Sequence, residues 1–377
     1  MRTAKISAFV ILLVLAGLGL NAFLPEAFPY PELKVFGQAY MLILTKFVDP
    51  VKDDRLMQGA QRGLLGSLDP FSTYIPAGKL EAFRKSQTPA PIDAGVELRR
   101  GMKFAYAYRV APGSAAAEYL KQGDIVEVVN SLQYPRDDVW ELQAELAGPL
   151  GKSVTVVYST RDAEKSKEAV LKLKPYARPA VAVSESEGAP ILRLPHFRAE
   201  TPGEMRDALQ AVKTRDLLFI DLRANTSFDY PEALKAAALF LKEDPRLILK
   251  SKREEKKLNA KSENPFAFAE LYLMADRDTT GAAEIFAALL QKGAGAKVIG
   301  RATFGYTGAL QMVPLSDGGA CHLTYTLVIL ADGTDLMDKG VQPDLTVRDP
   351  LGTETASDAI DKKVREIIQE KALRKAA

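Results

Sequence analysis

The stretch Leu271–Gly318, LYLMADRDTTGAAEIFAALLQKGAGAKVIGRATFGYTGALQMVPLSDG, is the part of the chain that decides its fold. It opens with a short apolar run, Leu271 to Met274, that is typical of a buried strand, and a helical run from Ala282 to Gln291 follows. The same order occurs upstream, where the apolar run Leu217 to Leu222 precedes a helical run from Pro231 to Leu241. Strands that alternate with helices predict an α/β layer architecture.

The same stretch resembles the active-site region of the C-terminal processing, or tail-specific, peptidases of family S41, which use a Ser-Lys dyad. Glu284-Ile285 and Thr303-Phe304-Gly305 match phrases of that family and fix the register. The serine position then falls on Gly281 and the lysine position on Tyr306. The family often places a glutamine four residues after the lysine, to orient it, and here that position is Leu310. The resemblance thus implies a peptidase scaffold without its nucleophile and base.

The resemblance extends over residues 33 to 347. Phe47-Val48-Asp49-Pro50 resembles the helical N-terminal region of the family, and Gly340-Val341-Gln342-Pro343-Asp344 resembles the phrase that closes its core. It implies an α/β core of the crotonase- or ClpP-like type, an inserted β-rich PDZ domain and an N-terminal helical region. We expect five segments: a signal anchor or signal peptide (1–27), a helical region (28–90), a PDZ-like domain (91–176), an S41 peptidase-like core (177–350) and a C-terminal helix (351–377).

The phrases Ala111–Ala116 and Gly123–Asn130 carry the resemblance to a PDZ domain. Such a domain binds an extended peptide by strand addition and holds the terminal carboxylate on backbone N–H groups. We expect this peptide-binding loop at Ala94, Gly95, Val96, Glu97 and Leu98. A PDZ fold that packs against its neighbours and binds no peptide is the alternative.

The chemistry of a Ser-Lys peptidase needs a hydroxyl nucleophile beside a lysine that is kept neutral. Gly281 has no side chain, and the ordinary pKa of tyrosine, near 10, makes Tyr306 a poor base. The family's Pro-Gly-Gly turn, which supplies an oxyanion donor, is replaced here by Thr226-Ser227-Phe228. These departures, together with Leu310, predict that peptidase activity is lost.

A relocated active site would need new residues. Thr279 and Thr280 are the fallback nucleophiles, and His196 and His322 are the available bases. We expect a structural role for His196, and for His322 a solvent-facing or hydrogen-bonded role is the equal alternative. Asp276 and Asp278 lie close together, but without a third ligand they predict a capped turn, not a metal site. The sequence therefore predicts no metal and no cofactor.

Composition limits the kinds of partner and of covalent cross-link that the chain can have. The formal net charge is +2, which gives no electrostatic case for nucleic acid as a partner, and the single cysteine, Cys321, excludes an intramolecular disulfide. The charged run Lys250–Ser262 predicts an exposed loop that covers the degenerate site. The tail from Asp358 predicts a solvated amphipathic helix whose apolar face is formed by Ile360, Val364, Ile367 and Ile368.

The N-terminus carries a targeting signal. Arg2 and Lys5 precede an uncharged apolar run, residues 6–24, that is just long enough to span a bilayer. The basic flank predicts an exported protein anchored in the inner membrane and facing the periplasm or extracytoplasmic space. We expect an uncleaved anchor, with a cleaved signal peptide as the alternative.

Three functions follow. The first is a pseudopeptidase that binds polypeptide substrates or protein C-termini as a scaffold or regulator, with an active peptidase relative or a second copy of the chain as partner. The alternative is an active serine-type or threonine-type endopeptidase with a rearranged site. The third is a structural envelope protein whose PDZ cleft is closed.

Overall fold

The computed structural model describes residues 31–87, 90–101, 104–160, 165–262, 265–348 and 355–376. The predicted anchor, residues 6–24, lies outside these ranges. Within the described part of the chain, no helix is both long enough and apolar enough to cross a bilayer. The chain divides into two compact units, Met1–Leu64 and Leu65–Ala377.

The described part of the first unit is helical, as the sequence predicted. Helix α1 is Pro31–Lys46, and helix α2, which continues to the start of the second unit, is Asp53–Gly66. Acidic residues in the first turn of each helix complement the positive end of its dipole. Large apolar side chains on α1 are exposed, among them Val35 and Leu42.

The second unit begins with strand β1 (Thr73–Ile75) and helix α3 (Leu80–Ser86) and continues into a small β module, residues 91–176. In its described residues, the module has six strands, one α-helix and a short 3-10 helix (Ala116–Glu118); the strands and the α-helix are β2 (Val96–Arg100), β3 (Ala105–Val110), β4 (Ile125–Val129), β5 (Leu132–Gln133), α4 (Val139–Glu145), β6 (Ser153–Ser159) and β7 (Lys167–Lys172). The strands pair antiparallel in the order β2-β3-β4-β6-β7, with β5 paired to β4. Strand β2 is therefore an edge strand.

The core sheet contains six strands: β8 (Ala182–Ser186), β9 (Ala189–Arg193), β10 (Leu217–Asp221), β14 (Glu270–Ala275), β16 (Lys297–Gly300) and β19 (Leu345–Thr346). Their order is β19-β16-β14-β10-β9-β8, and all neighbours are parallel except the β8–β9 hairpin. This confirms the predicted α/β core, because parallel neighbours require crossover connections, which here include helices.

Helices cover both faces of this sheet. Helices α5 (Thr201–Val212), α6 (Tyr230–Ala238) and α7 (Ala282–Gly293) contribute to one apolar core, into which Leu218 and Ile220 of β10 point. The intervening residue, Phe219, points to the other face and packs with helix α8, Ala356–Ala376. Because successive side chains of a strand alternate between faces, a continuous apolar strand serves both cores.

The tail helix corrects one prediction. Ile360, Val364, Ile367 and Ile368 do form one apolar face, but they are buried against Phe219, Tyr272, Met274 and Ile299 of the core sheet. Helix α8 is therefore the second helical layer of the fold and not a solvated appendage.

A second sheet lies beside the core. It contains β1 with β12 (Arg246–Lys250), β13 (Glu255–Asn259), β17 (Gly308–Pro314) and β18 (Ala320–Leu330). Within the run predicted as a loop, Lys250–Ser262, Lys250 ends β12 and residues 255–259 form β13, which pairs with β12 in an antiparallel hairpin. Most side chains of the run are exposed, so the prediction was right about exposure but missed this strand.

Two short strands complete the unit. Strand β11 (Thr226–Ser227) pairs parallel with β15 (Thr280–Gly281), directly before the start of α7. This pairing brings residues 226–227, where the oxyanion turn was expected, against Gly281, where the nucleophile was expected.

Candidate active site

Gly281 lies at the position expected for the nucleophile, at the N-terminal end of helix α7. Its φ angle is 70°, in the left-handed region that favours glycine. A Cβ at this position would lie closer than 3.0 Å to the carbonyl oxygen of Ser227, and 2.9 Å from Cδ1 of Phe228. A serine side chain therefore has no space here unless residues 226–228 move.

The segment 225–228, where the oxyanion turn was expected, places hydrogen-bond acceptors near this point. The N–H of Thr280 donates to the carbonyl oxygen of Asn225 (2.8 Å). The carbonyl oxygen of Ser227 faces Gly281. A tetrahedral intermediate needs N–H donors at its oxyanion, so carbonyl groups in this place would repel it.

Tyr306, at the position expected for the lysine, is only 2% exposed. Its ring packs with Phe71 (4.4 Å between ring centroids) and Phe228 (5.8 Å), and Phe71 also packs edge-on against Phe304 (5.9 Å). These four residues form what we call the aromatic cluster. It fills the site where the two groups of a dyad would meet.

The hydroxyl of Tyr306 cannot replace the missing base. It forms a 2.5 Å hydrogen bond with the hydroxyl of Thr324, which in turn donates to Asp69 (2.8 Å). Burial raises the pKa of Tyr306 above its ordinary value near 10. The phenol therefore stays protonated near neutral pH.

Leu310 and its neighbour Gln311 offer no substitute for the glutamine that orients the lysine in the family. Leu310 lies in β17 opposite Thr324, and Gln311 is exposed.

Glu284 holds the framework of the site together. Its carboxylate is fully buried and accepts hydrogen bonds from the N–H groups of Gly281 (2.9 Å), Gly305 (2.6 Å) and Tyr306 (2.9 Å). The hydroxyl of Thr303 donates to it as well. These bonds explain why Glu284 and the Thr303–Gly305 phrase occur together: one carboxylate joins the start of α7 to the loop that carries Tyr306.

The two fallback nucleophiles have structural hydrogen bonds. The hydroxyl of Thr279 donates to the carbonyl of Leu222 (3.0 Å) and accepts from the N–H of Asp276 (3.0 Å). The hydroxyl of Thr280 donates to the carbonyl of Asp278 (3.0 Å) and accepts from Arg99 (3.1 Å). The hydroxyl of Thr279 also lies within hydrogen-bond distance of the Asp276 carboxylate (3.1 Å), and both threonines are fully buried.

Asp276 caps the turn between β14 and β15, as the sequence predicted. Its carboxylate accepts from the N–H groups of Ala224 (3.1 Å), Asp278 (3.0 Å) and Thr279 (2.9 Å). Among the residues that the structure describes, no group of three or more His, Cys, Asp or Glu side chains is placed to hold a metal.

The histidines do not reach Gly281. His196 contacts Glu97 (3.0 Å) and Arg109, and burial, together with the positive charges of Arg109 and Arg198, lowers its pKa to about 3. His322 packs its ring against Phe83 (5.0 Å), and burial lowers its pKa as well.

Arg99 of the β module completes the site, and nothing in the sequence singled it out. Its guanidinium is buried, forms an ion pair with Asp278 (3.0 Å) and lies 4.8 Å from the ring centroid of Phe304. It also donates to the hydroxyls of Thr280 and Thr226. Strand β2 thereby packs over the candidate site.

The predicted peptide-binding residues lie in and just before the same strand. Ala94, Gly95, Val96 and Leu98 are buried, whereas Glu97 is half-buried and accepts hydrogen bonds from Tyr108 and Arg109. Peptide binding by these residues remains a prediction.

Comparisons with known proteins agree with this architecture. The profile of peptidase family S41 matches residues 189–347, and that of the activating protease CtpB N-terminal domain matches residues 24–78. A carboxy-terminal-processing protease from Bartonella bacilliformis is 24% identical over 336 residues, or 85% of this chain and 76% of the relative. The carboxy-terminal processing protease CtpB of Bacillus subtilis is 23% identical over 324 residues, or 83% of this chain and 67% of the relative.

Solved structures show the same fold. A photosystem II D1 C-terminal processing protease superposes with a TM-score of 0.64 at 20% identity, over 86% of this chain and 90% of its own. A putative S41 protease from Bacteroides fragilis gives a TM-score of 0.51 at 14% identity, over 92% of this chain and 99% of its own. Residues 189–347 thus match peptidase family S41, and over most of its length the chain is similar to the carboxy-terminal processing proteases.

Proposed function

We propose that this S41 homologue is a pseudopeptidase: it binds polypeptides and does not hydrolyse them. The observation that carries the proposal is the packing of Ser227 and Phe228 against Gly281, which leaves no space for a nucleophile. The relatives are named for carboxy-terminal processing, and this supports polypeptides as the ligands here.

At each position where a Ser-Lys dyad needs a particular group, this chain has a group that does not support hydrolysis. A hydrogen atom stands where a hydroxyl would attack, and a buried phenol stands where a neutral amine would accept the proton. Carbonyl oxygens of residues 225 and 227 face the place of the oxyanion donors. Loss of nucleophile or base alone reduces hydrolysis by orders of magnitude, so the combination predicts an inactive site.

Binding would use the surface that remains. Strand β2 is an edge strand, and extended polypeptides add to such edges through main-chain hydrogen bonds. In this role the protein would act as a scaffold or regulator, either for an active peptidase relative or as an assembly of several copies.

The proposed place of action is outside the cytoplasm. The basic residues Arg2 and Lys5 before the apolar run 6–24 support export with an inner-membrane anchor that faces the periplasm. A reporter enzyme that is active only after export, fused after Ala377, tests this directly: activity supports export, and a silent but expressed fusion contradicts it.

One experiment separates binding from hydrolysis. Fluorescein-labelled, unfolded casein is mixed with the purified full chain, and its fluorescence anisotropy is followed. Binding raises the anisotropy, whereas cleavage into short peptides lowers it. We expect a stable, saturable rise.

The control is CtpB of Bacillus subtilis, which should lower the signal. A fall with the present chain would contradict the proposal. Thr279→Val and Thr280→Val, each compared with the Thr→Ser variant that keeps the hydroxyl, would then identify the nucleophile.

A further inference from the structure

The outer edge of strand β2 is occupied by a side chain of helix α4. The N–H of Leu98 donates to Oε1 of Gln143 (2.8 Å), and Nε2 of Gln143 donates to the carbonyl oxygen of Val96 (3.0 Å). A glutamine amide offers both an acceptor and a donor, so it can pair with a strand edge as a peptide group does. Gln143 thus takes the two main-chain groups that an added strand would use.

The loop before β2 is also closed, in a different way. The N–H of Gly95 donates to the Asp93 carboxylate (2.7 Å), and the N–H of Ala94 donates to the carbonyl of Leu146 (2.8 Å). Asp93 also accepts from the hydroxyl of Tyr176 (2.7 Å) and pairs with Arg178 (3.1 Å). The N–H groups expected to hold a terminal carboxylate are therefore bonded within the chain, one of them to a resident carboxylate.

We propose that the β2 edge binds an internal, extended segment of a polypeptide, not a free carboxyl terminus, and that Gln143 is the group that the segment displaces. This rests on the polypeptide-binding function proposed above and gives it a ligand class.

The hydrogen bonds that occupy the β2 edge are easier to break than those that occupy the loop before β2. Gln143 is half-buried at the surface of α4, and rotation of its side chain frees Val96 and Leu98 without moving the backbone. In the loop before β2, Asp93 is half-buried, but Ala94 and Gly95 are buried and the side chain of Ser114 fills the space beside Gly95. Opening the loop would break four polar contacts and place a second carboxylate beside Asp93, and like charges at such distances repel.

Helix α4 itself is held in place from behind. Trp140 packs edge-on against Phe83 of α3 (5.2 Å), and Glu141 pairs with Lys79. Because these contacts fix the distance between α4 and β2, rotation of Gln143 is the simplest route to a free edge.

The test uses two degenerate libraries of N-acetylated decapeptides that differ only at the C-terminus, carboxylate in one and carboxamide in the other. Retention by the immobilised full chain is measured by mass spectrometry for the natural protein and for Gln143→Met. Methionine has a similar length but forms neither hydrogen bond. We expect the natural protein to retain the two libraries equally, within about twofold. We also expect Gln143→Met to bind both libraries about tenfold more tightly, because the two hydrogen bonds of Gln143 no longer compete with the peptide for the β2 edge.

Gln143→Ala is the second variant that removes both hydrogen bonds. The comparison of the two libraries is made on the natural protein, so it does not depend on the folding of any variant. A preference of tenfold or more for the carboxylate library would overturn the proposed ligand class. Unchanged affinity in both folded variants would overturn the role of Gln143. If casein binds but no decapeptide does, this inference fails while the proposed function stands, and if neither binds, both fail.

Discussion

The carbonyl oxygen of Ser227 occupies the space next to Gly281 into which any other residue would project its Cβ. The parallel pairing of Ser227 with Gly281 fixes this contact. The backbone around Gly281 therefore leaves no room for a nucleophile, and placing serine at position 281 and lysine at position 306 should not produce activity.

The double variant Gly281→Ser, Tyr306→Lys tests this directly. We expect no cleavage of unfolded casein, because the serine would collide with residues 227 and 228. We also expect Gly281→Ser alone to lower the free energy of unfolding by about 3 kcal/mol, from strain at positive φ together with the collision. Urea denaturation measures the second effect.

Gly295→Ser is the matched control. Gly295 has a φ of 65°, and no neighbouring atom lies within 4 Å of the position that a Cβ would take. Its substitution therefore introduces the strain of a positive φ without a steric collision. We expect a loss of about 1 kcal/mol there. Equal losses at both positions, or cleavage by the double variant, would show that residues 226–228 move aside readily.

Arg99 should be a major contributor to the stability of the closed site. Its side chain is 3% exposed, so Arg99→Ala would leave Asp278 without its ion-pair partner. We expect a loss of about 3 kcal/mol in the free energy of unfolding. The double variant with Asp278→Asn should recover part of it. A loss below 0.5 kcal/mol, typical of surface positions, would contradict the packing of β2 on the core.

The pH dependence of stability should report His196. Its pKa in the folded protein is about 3, against 6.5 for the free side chain, so the unfolded chain binds the additional proton between these values. The stabilising contribution of neutral His196 is fully present above pH 6.5 and is lost progressively as the pH falls towards 3, with a slope of at most about 1.4 kcal/mol per pH unit.

His196→Gln removes this titration. We expect the unfolding free energy of the natural protein to fall more steeply than that of the variant between pH 6.5 and 4, as measured by urea denaturation. Parallel curves would show that His196 is not held neutral. Partial exposure of His196 reduces the slope below its upper bound.

The tail helix offers a packing test. Ile360 is fully buried against the core sheet, so Ile360→Ala should cost about 3 kcal/mol in the free energy of unfolding. Leu373, on the same helix, is 73% exposed, and Leu373→Ala should change it by less than about 0.5 kcal/mol. Equal, small effects in urea denaturation would mean that α8 does not dock in solution.

The sequence was sufficient to predict the core strands. Apolar runs such as Leu271 to Met274 are visible because parallel strands are buried on both faces. The hairpin strand β13 was missed because its side chains, including Lys256 and Lys257, are exposed, and an edge strand rich in lysine has no apolar alternation. The burial of α8 was missed because its pattern does not identify what covers the apolar face.

The interior of the candidate site could be predicted only in part. The assignment of Gly281 and Tyr306 to the nucleophile and base positions rests on the neighbouring phrases and stays a prediction. Arg99 and Gln143 were not predicted, since each acts through a distant segment, and one sequence contains no signal for such a contact. The closure by Ser227 depends on backbone geometry alone.

The most direct test of the central claim is a count of new peptide termini. The purified full chain is incubated with unfolded casein, and mass spectrometry compares the termini formed with those produced by an equal amount of Bacillus subtilis CtpB. The account predicts no termini above those in casein alone. Termini that accumulate with time and disappear in Thr280→Val but not in Thr280→Ser would contradict it and would identify a relocated nucleophile.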